Sequence, residues 1–141
     1  MEKKDYDFWQ HHSVKYLEMA FRTDKQEILE SPDGYGKRTG DCGDTIEMFI
    51  NVCDEHIRSV SFNVNGCINT NACANTVVSL AEGKSIEEAW EITTENVADY
   101  LETLPTHETH CAELAVGSLY LALADARESK KAPWKKLYRK K

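Results

Sequence analysis

The chain has 141 residues, enough for one compact domain with its own core, and its 41% hydrophobic and 29% charged content excludes a disordered chain. No apolar run approaches the ~18 residues of a membrane span, and the N-terminal MEKKDYDFWQHH lacks the apolar segment of a secretory signal, so a cytoplasmic protein is expected. The net charge of −7 is unevenly spread: residues 130–141 (KKAPWKKLYRKK) hold seven of the 17 Lys and Arg and no acid.

Residues 1–129 therefore carry about −14, which argues against nucleic acid as the main partner. The expected organisation is a single domain over 1–129 and a solvated basic tail over 130–141.

In chain order, DFWQHHSVKYLEMAFR (7–22) reads as a helix that Asp7 can cap, with Val14, Leu17 and Phe21 at helical spacing. Residues 23–44 contain Pro32, Gly34, Gly36, Gly40 and Gly43 and read mostly as loop. GYGKRTG within it lacks the spacing of a phosphate-binding loop. Two strands follow. Ile46, Met48, Ile50 and Val52 alternate with polar or outward residues in the first, and Val60, Phe62 and Val64 in the second. With the short turn Cys53–His56 between them, they form a hairpin with one buried face.

Asn65-Gly66-Cys67 ends the hairpin, and residues 71–82 read as a helix stopped by Gly83. Ser85-Ile-Glu-Glu88 is a capping-box pattern opening a short helix over 86–92. VADYLETL gives a third, ended by Pro105. The last helix, capped by Thr106 or Thr109, has its apolar face on Cys111, Leu114, Ala115, Ser118, Leu119 and Ala122. The order predicts an α+β domain: a small antiparallel sheet with helices packed on one face, an N-terminal helix and a long C-terminal helix.

Five cysteines, at 42, 53, 67, 73 and 111, are expected to be thiols or metal ligands rather than disulfides in a reducing compartment. No Cys-x-x-Cys pair occurs, so any metal site must be assembled from distant segments. The hairpin alone places Cys42 and Asp44, at its entry, level with Cys67, at its exit. Cys67 precedes one helix and Cys111 opens another, where the free N–H groups favour thiolate. His110 lies beside Cys111, and Gly43 leaves room for a ligand next to Cys42. Cys73, between Ala72 and Ala74, is expected to pack in the core, and His107 to stand outside the ligand set. Thiolate, carboxylate and imidazole together suit zinc or iron–sulfur chemistry.

Three motifs in order, Cys-Gly-Asp at 42–44, Asn-Gly-Cys at 65–67 and His-Cys at 110–111, resemble the IscU/NifU-type iron–sulfur cluster scaffold proteins. Gly83-Lys84, the EEA after it and Leu104-Pro105 fill the spaces in the same way, and the likeness runs from about Ser31 to Arg127. The resemblance implies a non-catalytic scaffold in which Cys42, Asp44, Cys67, His110 and Cys111 are the metal and cluster ligands. It further implies that Cys111 receives sulfur as a persulfide from a cysteine desulfurase. A ferredoxin-type donor would supply electrons, a labile 2Fe–2S cluster would form, and apo iron–sulfur proteins would accept it. Asp44 would be the weak ligand that keeps the cluster transferable. Zinc can occupy the same site in that family, and the zinc-dependent sulfur acceptors of the SufU type are the alternative reading.

Some positions depart from the pattern. The family's chaperone-recognition stretch, Leu-Pro-Pro-Val-Lys, is here Leu104-Pro-Thr-His-Glu108, with the lysine's charge reversed, which counts against an Hsp70-type chaperone pair. Cys73 falls where serine is frequent. The ferredoxin-like and Cys-x-x-Cys domains of larger NifU proteins do not occur in these residues, so a stand-alone scaffold is expected. A thiol enzyme with Cys111 as nucleophile, His110 as base and Asp44 as orienting group is disfavoured, because adjacent helical residues point about 100° apart. A tail-driven RNA or membrane adaptor is the remaining rival.

Overall fold

A computed structural model describes residues 13–40, 43–105 and 108–131, with side chains through 128. The elements are α1 (Val14–Phe21), β1 (Gly34–Thr39), β2 (Thr45–Cys53), β3 (His56–Asn65), α2 (Ile68–Ala81), α3 (Ile86–Ala89), α4 (Thr94–Leu101) and α5 (Thr109–Lys131). The strands form an antiparallel meander in the order β1-β2-β3, so the fold is α+β, as the order of elements predicts.

The hairpin pairs Thr45 with Asn65 at its open end and Cys53 with His56 at its closed end. Asp54 and Glu55 make the two-residue turn, both at positive φ (53° and 68°), the arrangement whose twist matches the flanking strands. Ile46, Met48, Ile50, Val60 and Phe62 are fully buried on the helix-covered face. Phe49 is buried from the other side, where its ring lies 5.3 Å from that of its cross-strand partner Tyr35.

The loop expected over 23–44 contains strand β1. Its sequence, GYGKRT, has no apolar alternation to announce it, because what packs on this strand is helix backbone. A Cβ on Gly34 would stand 2.3 Å from the Ala122 carbonyl oxygen, and one on Gly36 2.3 Å from that of Ser118. Only glycine admits so close an approach. The Ser118 hydroxyl then donates to the Ile46 carbonyl at 3.2 Å, tying α5 to the next strand. The expected apolar face of α5 is buried: Cys111, Leu114, Ala115, Ser118, Leu119 and Ala122.

The N-terminal helix differs from its expectation. In the described residues it starts at Val14 with Ser13 as cap, while Asp7, His11 and His12 lie outside them. Its buried face is Tyr16, Met19 and Ala20, whereas Val14 and Phe21 are exposed. Polar ties set this rotation. Ser13 donates from its hydroxyl to the Leu101 carbonyl (2.7 Å) and from its N–H to Thr103 (3.0 Å). At the other end the Asn75 amide donates to the carbonyls of Met19 (2.8 Å) and Arg22 (3.0 Å), and Asn71 to that of Ala20 (2.8 Å).

Helix α2 begins at Ile68, three residues before the expected 71, and is buried on nearly every side. The short helix α3 ends at Ala89 rather than 92, opened by the expected Ser85–Glu88 capping box. Helix α4 begins at Thr94, because Thr93 and Asn96 form a second reciprocal cap. The outer edge of β3 is covered by segments that are not strands. Phe62 exchanges backbone hydrogen bonds with Lys25 and Glu27, and Ile57 with Lys84 and Gly83. The Val60 N–H donates to the Glu82 carboxylate at 3.0 Å, which also holds Lys25 at 2.6 Å.

Gly36→Ala should therefore force α5 off the sheet. Urea unfolding should show a loss of about 2–3 kcal/mol, the usual cost of overpacking against backbone. A change below about 0.5 kcal/mol would mean the helix is free to shift.

Candidate functional site

Three elements end together at the open end of the hairpin. Asp44 immediately precedes β2, Cys67 caps α2, and Cys111 lies in the first turn of α5. One donor atom from each, Asp44, Cys67 and Cys111, lies within 4.8 Å of the others. Hairpin register brings Asp44 to Cys67, and Gly66 makes room: a Cβ there would sit 2.9 Å from the Asp44 carboxylate. Cys111 arrives through the packing of α5 along β1.

A residue that sequence reasoning passed over lies at the centre. Thr70, in the first turn of α2, is fully buried. Its hydroxyl donates to Asp44 Oδ2 at 2.6 Å and lies 3.5 Å from both Cys67 Sγ and Cys111 Sγ. Its only signal in the sequence is its place three residues after Cys67, one helical turn from the cap. Next to it, the buried Tyr16 hydroxyl donates to Asn69 and so braces α1 against the start of α2.

The three donors differ in access. Cys67 is exposed, Asp44 half-buried and Cys111 fully buried. The Cys111 thiol is therefore not the thiolate expected from its helix position. Burial pushes it up to about 12, with Cys67 and Glu108 adding to the rise and the Thr70 hydroxyl working against it. Desolvation outweighs the helix N-terminus here. Cys73 is buried in α2 and its thiol is also pushed well up by burial, in keeping with a packing role.

His110 reaches further than its place beside Cys111 suggests: Nε2 lies 3.7 Å from Cys111 Sγ. Adjacent positions diverge at the Cα, but an imidazole is long enough to fold back. Glu108 also enters the site, with Oε1 3.6 Å from Cys111 Sγ and 3.7 Å from His110 Nε2. Cys42 and His107 lie outside the described residues. Among the described residues next to position 42, the Gly40 N–H donates to the Asp44 carbonyl (2.9 Å) and the Gly43 N–H to the Gly40 carbonyl (2.9 Å). Cys53, Cys67, Cys73 and Cys111 form no disulfide.

Residues 23–133 match the NifU-like N terminal domain family. The chain belongs to that family. It is similar to the iron–sulfur cluster assembly scaffold protein IscU 1 of Archaeoglobus fulgidus, 37% identical over 98 residues, which are 69% of this chain and 64% of that one. The likeness to the IscU scaffold protein of Escherichia coli K12 is 35% over 92 residues, 64% of this chain and 71% of that one. The chain thus spans less than two thirds of the length of the Archaeoglobus protein. In fold it is similar to a NifU-like N-terminal protein from Brucella abortus (TM-score 0.69, 14% identity, covering 82% of this chain and 94% of that one). It is also similar to an iron–sulfur cluster assembly scaffold protein for the SUF system from Fervidobacterium islandicum AW-1 (TM-score 0.67, 17% identity, 81% of this chain and 97% of that one covered). Among the described residues, no helix is long and apolar enough to cross a membrane.

Two outcomes follow for the metal-free protein. Alkylation needs thiolate, and a thiol at about 12 is ionised to roughly one part in ten thousand at pH 8. Iodoacetamide at pH 8 should label the exposed Cys67 while leaving Cys111 unlabelled, and Cys111 labelling should rise as pH climbs toward 12. Prompt labelling of Cys111 at pH 8, read by mass spectrometry of peptides, would show that the thiol is ionised or exposed. Separately, Thr70→Val keeps the shape but removes the donor to Asp44, and should cost about 1–3 kcal/mol in urea unfolding, with Thr70→Ser restoring most of it.

Proposed function

We propose that this chain is a scaffold on which an iron–sulfur cluster is assembled and from which it is passed on. The observation that supports it most is the convergence of Asp44, Cys67 and Cys111, donors from three separate elements, within 4.8 Å. The family membership and the names of the similar proteins point the same way.

Two thiolates and a carboxylate suit iron with sulfide, and they suit zinc as well. Cys42, Asp44, Cys67, His110 and Cys111 are the proposed ligands. Asp44 is the hardest and weakest of them toward an iron–sulfur cargo, which favours release. Its hydrogen bond from Thr70 holds the carboxylate in place in the metal-free chain.

Sulfur would arrive from a cysteine desulfurase. The Cys111 thiolate attacks the terminal sulfur of the donor's persulfide. A new S–S bond forms on Cys111, and the donor cysteine leaves as its thiolate. Each sulfur delivered this way is at the level of elemental sulfur and takes up two electrons from a ferredoxin-type donor to become sulfide. Ferrous iron binds at the same thiols, and their protons leave to solvent as it binds. For Cys111 burial opposes that loss, and a bound cation would favour it. The finished 2Fe–2S cluster is then handed to apo iron–sulfur proteins. Residues 1–129 form the proposed scaffold unit, and the basic stretch that follows begins within the last turn of α5.

The test is reconstitution without oxygen, using a cysteine desulfurase, cysteine, ferrous iron and reductant. Native chain should take up about two irons and two sulfides, develop visible absorption and pass both to an apo-ferredoxin. Cys42→Ala, Cys67→Ala and Cys111→Ala should each lose the colour. Bound zinc with no sulfide would instead identify a zinc-dependent sulfur acceptor built from the same residues.

A further inference from the structure

The turn that opens α5 carries a second set of donors around the same sulfur. Glu108 Oε1, His110 Nε2 and Cys111 Sγ form a triangle with edges of 3.6, 3.7 and 3.7 Å. With metal–sulfur bonds near 2.3 Å and metal–nitrogen or metal–oxygen bonds of about 2.0–2.2 Å, ligand atoms around a tetrahedral ion stand roughly 3.4–3.6 Å apart. The observed triangle is within about 0.3 Å of that pattern on every edge, before any ion is bound. In the metal-free chain the Cys111 thiol donates to Glu108 across one edge and lies within weak hydrogen-bond reach of His110 across another, so loss of its proton would leave three donors facing one point.

Local structure makes the triangle. Glu108 and Cys111 are three apart at the start of a helix and so share a face. The Glu108 N–H donates to the Pro105 carbonyl at 2.9 Å, which fixes the turn ahead of the helix. His110 is 43% exposed and Glu108 23%, so two donors can be reached from solvent while the third lies in the core. In the resembling family a lysine stands at the place of Glu108, and its ammonium has no lone pair to give. A carboxylate at this place has lone pairs to offer a cation.

We propose that Glu108, His110 and Cys111 form a metal-binding triad for a first-row divalent cation, ferrous iron or zinc, with Glu108 as a ligand. It deepens the scaffold reading and rests on it for biological purpose. Cys111 then has two sets of partners, Asp44 and Cys67 on one side and Glu108 and His110 on the other. An ion seated on the solvent side can be held by Cys111 without Asp44 or Cys67.

The test isolates this triad. In a chain carrying Cys42→Ala, Asp44→Asn and Cys67→Ala, metal-free protein is titrated with cobalt(II) alone, without oxygen. One cobalt per chain should bind, with a thiolate-to-cobalt charge-transfer band. Adding Glu108→Gln should weaken binding about tenfold or more, His110→Ala likewise, and Cys111→Ala should abolish the band. Should the triple variant be unfolded by circular dichroism, Cys42→Ala with Cys67→Ala supplies the background, which leaves Cys111 as the one thiol among the proposed ligands. Equal affinity with and without Glu108→Gln, or a band that survives Cys111→Ala, would overturn the proposal. The scaffold reading is decided independently, by iron and sulfide loading of the native chain and of Cys67→Ala.

Discussion

The site depends on backbone packed against backbone. Helix α5 lies on β1 with Ala122 over Gly34 and Ser118 over Gly36, and further along the Arg38 guanidinium reaches the Glu113 carbonyl at 3.5 Å. The helix therefore runs antiparallel to the strand, and its first turn arrives where β1 turns into β2. That turn carries Asp44, and the partner strand β3 leads out to Cys67 at the same level. Without the two glycines the helix would stand further off and Cys111 would not reach the others. A contact made of atoms common to all residues thus sets the position of the one thiol that belongs to both donor groups.

Legibility from sequence followed the range of the interactions. The β2–β3 hairpin was readable because alternation within eight residues reports a half-buried strand. The face of α5 was readable for the same reason at helical spacing, and hairpin geometry placed Asp44 beside Cys67. Strand β1 was not, since its glycines signal a loop until the helix that needs them is known. The rotation of α1 was hidden because Ser13, Asn71 and Asn75 fix it through hydrogen bonds to distant carbonyls. Thr70 and Glu108 were missed as members of the site for the same reason: their neighbours come from separate segments or from side chains that fold back. The lowered pKa expected for Cys111 gave way to burial, which no local pattern reports.

Cys111 is at once part of the hydrophobic core and the hinge of the donor arrangement. A thiol serves both ends because, protonated, it behaves as a small apolar group, and, ionised, as a soft ligand. Thr70 sits at the boundary between these states, its hydroxyl directed to Asp44 while touching both sulfurs. Burial keeps the sulfur of the metal-free chain away from solvent.

The covered edge of β3 bears on how other proteins can approach. Strand addition, in which a partner's extended chain zips onto an open sheet edge, needs a row of vacant backbone groups. Along β3, Phe62 is already matched by residues 25–27, Val60 by Glu82 and Ile57 by residues 83–84. A visiting chain would have to displace these before making its first bond there. On this side, recognition is left to side chains rather than to main-chain pairing, and such contacts can be made and broken quickly. That would suit the proposed scaffold, which a sulfur donor and a cluster acceptor visit in turn.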